Sequence, residues 1–345
     1  MTVVCHFAVK DRNTGGPVHA NAFEAKDPFC YLLQVHWLRL ASPAPAAFCF
    51  LHIANIDERL GLMKKCYRAE LTGVFGIPVD DNPTGAVEEA AYKAEGLNYR
   101  YLMIEVKPED LQTAMDSVKA FGMKGINLTM PHKVTVVPML DELSEAAGII
   151  GAVNTVVNRD GKLFGENTDG KGFVRALEDS GESVEGKSVT ILGAGGAARA
   201  IAVECALNHA KKINIVNRNT VRGKELVQIL ISKTDVSAEY VSWGENLPIP
   251  RETQILINAT SIGFSPNIKD KPDIDYRTVT SSMVVCDVVF SPADTEFLKA
   301  VRARGAKTIN GLGMLASQAA LNFTLWTGKE APLELMKKVL AEETA

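Results

Sequence analysis

The run Thr190-Ile191-Leu192-Gly193-Ala194-Gly195-Gly196-Ala197-Ala198 constrains this chain more than any other stretch. It has the form G-x-G-x-x-A. An apolar segment, Ser188–Leu192, precedes it, and an alanine-rich segment, 197–209, follows it. Strand, glycine turn and helix in that order open a dinucleotide-binding unit. Gly193 permits the tight turn, Gly195 lets the backbone approach a pyrophosphate, and Ala198 allows close helix-to-strand packing. The helix start, with Ala194, Gly196 and Ala197, then offers unpaired N–H groups and partial positive charge to phosphates. The competing reading is a turn made small for packing alone. The matching context on both sides weighs against it.

The end of the next strand selects the cofactor. An NAD site usually places Asp or Glu about 20 residues on, to bind the ribose hydroxyls. Here the position reads Val216-Asn217-Arg218-Asn219-Thr220-Val221-Arg222, with no carboxylate. Arg218 and Arg222 can hold a 2′-phosphate instead, and Arg218 can stack on adenine. The pattern therefore points to NADP, against the alternative of two solvated arginines at a helix start.

Around this unit, apolar runs alternate with helical stretches. Strands are expected at 71–76, 99–106, Gly125–Leu128, 153–157, 162–165, Ser188–Leu192, 212–216, 239–241, Ile255–Asn258 and 284–288. Helices are expected from Thr84, as cap, to Gly96, over 108–121 and over 197–209. Segments 153–157 and 162–165 read as a hairpin around Arg159-Asp160-Gly161. Such alternation implies α/β architecture with parallel sheets covered by helices. At 345 residues, two domains are expected, with the boundary near 165–186.

Residues 1–62 read differently, holding four of the six histidines and three of the six cysteines. The apolar stretch 29–54 contains Gln34, His36, Arg39, Pro43 and Pro45, so it makes a poor membrane span, and it begins too late, with the wrong flanks, for a signal peptide. We read 1–62 as an extension outside the functional fold, with Met63 as the natural start. A genuine targeting or docking extension is the rival.

Basic residues number 37 and acidic ones 41, which gives no broad basic field for nucleic acid. No cysteine pair has C-x-x-C spacing, so neither zinc nor a redox pair is indicated, and reduced thiols fit a cytoplasmic protein. No His, Cys and carboxylate cluster has metal-ligand spacing. The expected partner is a small molecule, with no nucleic acid and no membrane; a homodimer is left open.

Three polar clusters precede the glycine loop: Asn127-Leu128-Thr129-Met130-Pro131-His132-Lys133, Gly151-Ala152-Val153-Asn154-Thr155 and Gly165-Glu166-Asn167-Thr168-Asp169-Gly170. Polar groups on short loops beside a nucleotide unit suit a substrate cleft. Reducing a ketone by hydride requires a proton for the new alkoxide, and oxidising an alcohol requires its removal. A lysine can serve both steps when burial or like charge tunes it. Lys133 is the candidate, and Asp169 could orient it and bind the reacting hydroxyl. A surface lysine after a proline turn and an Asx helix cap are the structural alternatives.

Taken in order, these motifs resemble the shikimate dehydrogenase family. So do Asn258-Ala259-Thr260-Ser261-Ile262-Gly263 and Gly311-Leu312-Gly313-Met314-Leu315 with Gln318. The resemblance runs from about residue 71 to the end of the chain. It implies NADPH-linked, reversible reduction of 3-dehydroshikimate to shikimate in aromatic amino-acid (chorismate) biosynthesis, with Lys133 and Asp169 as the catalytic pair. It also implies that Asn82, Thr84, Thr129, Asn154, Asp169 and Gln318 bind substrate. Asn217, Arg218, Arg222, Thr260, Val288 and Gly313 would join the glycine loop at the cofactor. The family fold places an α/β substrate domain at 63–166 plus 312–345, whose C-terminal helix returns to it. A Rossmann-type NADP domain would occupy 167–311.

Two positions depart from the family. Its Ser-x-Ser pair at the substrate carboxylate corresponds to Asn82-Pro83-Thr84, beside Asp81 and ahead of Glu88-Glu89. Its tyrosine corresponds to Phe290. The competing functions are a quinate or aminoshikimate dehydrogenase and a non-catalytic metabolite- and nucleotide-binding regulator. The missing carboxylate near Asn217 argues against an NAD-linked quinate enzyme, and retention of Lys133 with Asp169 argues against a regulator.

Overall fold

A computed structural model of the chain describes residues 8–10, 17–19 and 67–344. The chain divides between Tyr67 and Arg68. Ahead of that point, β1 (Ala8–Lys10) and β2 (Pro17–His19) pair antiparallel. Apart from that ladder, the readings made of 1–62, of the apolar stretch 29–54 and of Met63 lie outside the described residues.

From Arg68 onward, two six-stranded sheets follow one another along the chain. The first comprises β3 (Glu70–Gly76), β4 (Tyr99–Glu105), β5 (Gly125–Leu128), β6 (Glu142–Leu143), β7 (Thr155–Arg159) and β8 (Lys162–Glu166). Their spatial order is β4-β3-β5-β7-β8-β6, and only β7 runs against its neighbours. The period of two along a strand decides which side chains go to which face. Val74 joins the core under α1 (Thr84–Ala94), whereas Phe75 joins the core under α2 (Leu111–Ala120). Two short helices, α3 (His132–Thr135) and α4 (Glu145–Ile150), sit in the connections between strands.

α5 (Thr168–Asp179) leads to the second sheet. Its strands are β9 (Ser188–Leu192), β10 (Lys212–Asn217), β11 (Ser237–Ser242), β13 (Ile255–Asn258), β15 (Val284–Asp287) and β16 (Lys307–Ile309). All pairings are parallel, in the order β11-β10-β9-β13-β15-β16. A small parallel pair, β12 (Leu247–Pro248) and β14 (Ile274–Asp275), lies outside this sheet. Parallel strands buried on both faces read as continuous apolar runs, and the same alternation sorts them here. Ile191, Ile215 and Ile257 face the core under α6 (Gly196–Leu207), while Leu192, Val216 and Leu256 face the opposite core. The remaining helices are α7 (Thr220–Lys233), α8 (Glu296–Arg302), α9 (Gly311–Thr327) and α10 (Leu333–Glu343).

The C-terminal helices return to the first sheet. Phe323 and Trp326 of α9 and Met336 and Leu340 of α10 lie in one core with Val74, Tyr92 and Tyr101. Trp326 Nε1 donates to the Val156 carbonyl at 3.0 Å. Two local expectations need correction. Thr84 reads as the cap of α1, but Pro83 holds that position, and the Asn82 side chain accepts the Thr84 N–H at 3.0 Å. The segment expected as one helix over 108–121 opens with a 3₁₀ turn, Pro108–Asp110, before α2.

Candidate active site

β5 ends at Leu128 and the chain turns at once. The Thr129 N–H donates to the Phe75 carbonyl at 3.0 Å, and the His132 N–H to the Thr129 carbonyl at 2.8 Å. His132 is buried, with Nε2 2.7 Å from the Val106 carbonyl. It pins the turn that carries Lys133, whose own carbonyl accepts the Val153 N–H at 2.8 Å. The lysine's backbone is therefore held from both sides.

α5 supplies the partner. Its cap is Asn167, whose Oδ1 accepts the Asp169 N–H at 3.2 Å. Because Asn167 fills that role, the Asp169 carboxylate stays available. Lys133 Nζ donates to its Oδ2 at 2.7 Å, and Asn154 Nδ2 donates to its Oδ1 at 2.9 Å. The two side chains are 33% and 21% exposed, so solvent reaches the pair.

Behind the pair lies a buried polar network, to which the structure adds Asn322 and Tyr101, two residues the sequence reading did not single out. Thr155 and Thr168 donate to Asn322 Oδ1 at 2.7 and 2.9 Å. Asn322 Nδ2 donates to Gln318 Oε1 at 3.2 Å. Asn127 donates to Thr155 Oγ1 and to the Asn154 carbonyl, both at 3.0 Å, and accepts the Tyr101 hydroxyl at 2.8 Å. Gln318, Asn154 and Asp169 thus belong to one satisfied constellation drawn from β4, β5, β7, α5 and α9. Asn322 carried a signal in the sequence: it lies four residues after Gln318, on the same face of an otherwise apolar helix.

The other candidate residues sit on the same edge of the first sheet. The Ile77 N–H donates to the Met130 carbonyl at 3.1 Å, which joins the loop after β3 to the Thr129 turn. Asn82 and Thr84 bond to each other, with Thr84 buried at the start of α1. One turn on, Glu88 is wholly buried beside the Tyr92 and Tyr101 hydroxyls, and neither of its carboxyl oxygens completes a hydrogen bond. Burial pushes its pKa well above the ordinary glutamate value. Phe290 packs edge-on to Phe264, with centroids 5.4 Å apart.

The second sheet presents its loops at the C-terminal ends of parallel strands, where open α/β sheets bind ligands. Gly193 has φ +117°, and a Cβ there would lie 2.9 Å from the Ala259 carbonyl. At Gly195 and Gly196 an added Cβ would meet nothing within 4 Å. With Ala194 and Ala197, these glycines leave open space over the uncapped first turn of α6, which suits a pyrophosphate. Asn217, Arg218 and Arg222 occupy the turn after β10, where Asn219 caps α7 by accepting the Arg222 N–H at 3.0 Å. Thr260 follows β13 and donates to Asn258 Oδ1 at 2.6 Å. The Val288 N–H, after β15, donates to the Asn258 carbonyl at 3.0 Å. At the start of α9, a Cβ on Gly313 would approach Ala176 of α5 at 3.2 Å, whereas Gly311 is the residue pressed on the Val288 carbonyl.

Asp287, at the end of β15, is buried. It accepts from Asn258 Nδ2 (2.9 Å), the Val289 N–H (3.1 Å) and the Thr295 hydroxyl (2.7 Å). Burial outweighs these bonds and pushes its pKa up to about 6. Cys205 and Cys286 are buried free thiols whose pKa burial raises. Among the described residues, no group of three His, Cys, Asp or Glu side chains is placed to hold a metal ion, and no helix is long and apolar enough to cross a membrane.

Comparison with known proteins places this geometry. Residues 74–156 match the family model described as the shikimate dehydrogenase substrate binding domain. Residues 175–289 match shikimate / quinate 5-dehydrogenase, and 311–341 match the shikimate 5′-dehydrogenase C-terminal domain. A curated relative from Desulforamulus reducens, named shikimate dehydrogenase (NADP(+)), is 44% identical over 281 residues, covering 81% of this chain and 97% of its own. Among solved structures, the ligand-free 5-ketofructose reductase of Gluconobacter sp. strain CHM43 is 44% identical with a TM-score of 0.78, covering 80% of this chain and 99% of its own. A shikimate dehydrogenase in complex with NADP+ is 38% identical with a TM-score of 0.76, covering 82% and 98%. The chain belongs to the shikimate dehydrogenase family.

Proposed function

We propose that this chain is an NADP-dependent shikimate dehydrogenase, reducing 3-dehydroshikimate reversibly to shikimate within aromatic amino-acid biosynthesis. The observation that carries the reaction is the Lys133–Asp169 pair at 2.7 Å, part-exposed and braced by Asn154. Bound NADPH supplies the hydride. Lys133 Nζ gives its proton to the new alkoxide oxygen and recovers it in reverse. Asp169 Oδ2 fixes Nζ and offers its remaining lone pair to the reacting hydroxyl, while Asn154 on Oδ1 keeps the carboxylate from rotating. Thr129 and Gln318 offer donors and acceptors to the ring hydroxyls, while Asn154, whose amide is engaged by Thr168 and Asp169, acts on the substrate through Asp169. Asn82 and Thr84 serve the carboxylate end. The Asn82 oxygen is engaged by the Thr84 N–H, which leaves its amide nitrogen as the donor. The cofactor is held by 193–197, Asn217, Arg218, Arg222, Thr260, Val288 and Gly313.

In this reading, 63–166 plus 312–345 form the substrate domain and 167–311 the NADP domain. The protein works in the cytoplasm as a homodimer, which light scattering on the purified chain tests directly. The primary experiment follows cofactor absorbance with 3-dehydroshikimate, using NADPH and NADH on one preparation. Fast oxidation of NADPH with a strong preference over NADH is expected; no oxidation with either overturns the assignment.

A second reading has its own observation. The Asn82-Pro83-Thr84 sequence departs from the family pattern at the substrate carboxylate, and one solved relative is named for 5-ketofructose, a substrate without a carboxylate. Running the assay with that diketose beside 3-dehydroshikimate separates the two, since each reading expects the higher kcat/KM on its own substrate.

A further inference from the structure

The turn that reads the cofactor's 2′ position does not stand alone. It rests on two aromatic residues contributed by the edge strand β11 and the residue just after it. The Tyr240 hydroxyl donates to the Asn217 carbonyl at 2.9 Å and lies 3.1 Å from Thr220 Oγ1. Its ring fills the space beside Gly223, where an added Cβ would meet Tyr240 Cε2 at 2.5 Å. The Trp243 N–H donates to the same Asn217 carbonyl at 3.3 Å. Trp243 is buried, and its indole Nε1 donates to the Asp273 carbonyl at 3.0 Å, which fixes the plane of the ring. The exposed Arg218 guanidinium lies over that ring, 5.2 Å from the centroid.

A long arginine side chain samples many rotamers in solvent. An arginine left free in solvent would lose that freedom on meeting a phosphate. An arginine already lying on a fixed indole has lost part of it, and the indole face also attracts the cation. The Asn217 carbonyl, accepting from both aromatic residues, ties the backbone of the turn to the same support.

We propose that Trp243, assisted by Tyr240, is a positioning residue for cofactor selection: it holds Arg218 where the 2′-phosphate of NADP binds. The inference rests on the cofactor reading given above. It places selectivity partly in β11 and its flank, two residues that touch no phosphate themselves. It also makes a directional claim. Loss of the indole should weaken binding of the 2′-phosphorylated cofactor and leave the unphosphorylated one nearly untouched, because the glycine loop that holds the shared pyrophosphate lies on another strand.

The test is calorimetric binding of NADP+ and NAD+ to the full chain, without turnover. Trp243→Leu should raise Kd for NADP+ about three- to tenfold, the range expected of a cation–π contact of this exposure. Kd for NAD+ should stay within about twofold. Trp243→Phe, which keeps an aromatic face, should recover most of the loss, and it remains interpretable if the leucine variant folds poorly. In an Arg218→Ala background, the tryptophan change should add nothing. Parallel weakening of both cofactors, or a Trp243→Leu protein as selective as wild type, overturns the inference. A wild type without preference between the cofactors sinks the cofactor reading and this inference together. A selective wild type with an equally selective variant sinks this inference alone.

Discussion

Asp169 places each carboxylate oxygen on a different donor, Lys133 Nζ on one and Asn154 Nδ2 on the other. In the proposed reaction that division leaves the lysine as the proton donor while the carboxylate stays oriented. It also explains why the helix cap at Asn167 matters to chemistry two residues away. Lys133→Ala should lower kcat by about 10²–10⁴, the span typical of a lost general acid/base. Binding of NADP+ should change little, because the lysine stands on the first sheet and the glycine loop on the second. Turnover within about threefold of wild type would remove Lys133 from the proton-transfer role. At this scale the sequence was informative where chemistry is local. Lys133, Asn154 and Asp169 each sit in a short polar cluster between apolar runs. Asn322 shows only its four-residue spacing from Gln318, and Tyr101 and Glu88 show nothing of their buried partners, because those partners meet only once distant segments pack.

The same distinction holds for elements. β5, β9 and β13 occupy the residues their apolar runs predict, since a strand buried on both faces leaves an unbroken apolar signature. α4 was missed: its six residues are too few for periodicity, and its clearest signal is the Ser144 cap on the Ala147 N–H. The connection from β15 to α8 shows what such junctions cost. Asp287 organises it by accepting from Asn258, Val289 and Thr295, yet burial raises its pKa to about 6 from an ordinary 3.8. The folded chain therefore binds this proton more tightly than the unfolded chain. Between about pH 4 and 6 the unfolded state has released the proton and the folded state has not, so stability from this group falls as pH rises through that window and is constant above it. The loss is on the order of 3 kcal/mol at one pKa unit per ~1.4 kcal/mol. Asp287→Asn does not titrate. Denaturant melts at pH 4 and pH 7.5 should show the variant gaining on wild type by up to that amount as pH rises. A difference between the two proteins that ignores pH would mean Asp287 is already ionised at pH 4.

For the whole molecule, α5 is the part that both halves share. Its first turn carries Asp169 toward Lys133 of the first sheet, and its next residue meets α6 of the second. At Gly170 an added Cβ would lie 2.4 Å from the Ala200 carbonyl and 2.6 Å from Glu204 Cγ. The backbone contact leaves no room for a flexible side chain to yield, so α5 itself must move. Lys171, one residue on, pairs with Glu204 of α6 at 3.0 Å, which ties the same seam. Gly170→Ala should therefore act as a wedge between α5 and α6. Overpacking of this kind costs about 1–3 kcal/mol, so the melting temperature should fall by several degrees. The decisive outcome concerns catalysis. Lifting α5 carries Asp169 off Lys133, so kcat should drop at least tenfold while Kd for NADP+, set by the glycine loop and the turn after β10, stays near wild type. A Gly170→Ala enzyme that melts lower but turns over normally would show that the catalytic pair tolerates movement of α5. The distance across the seam would then not govern the reaction.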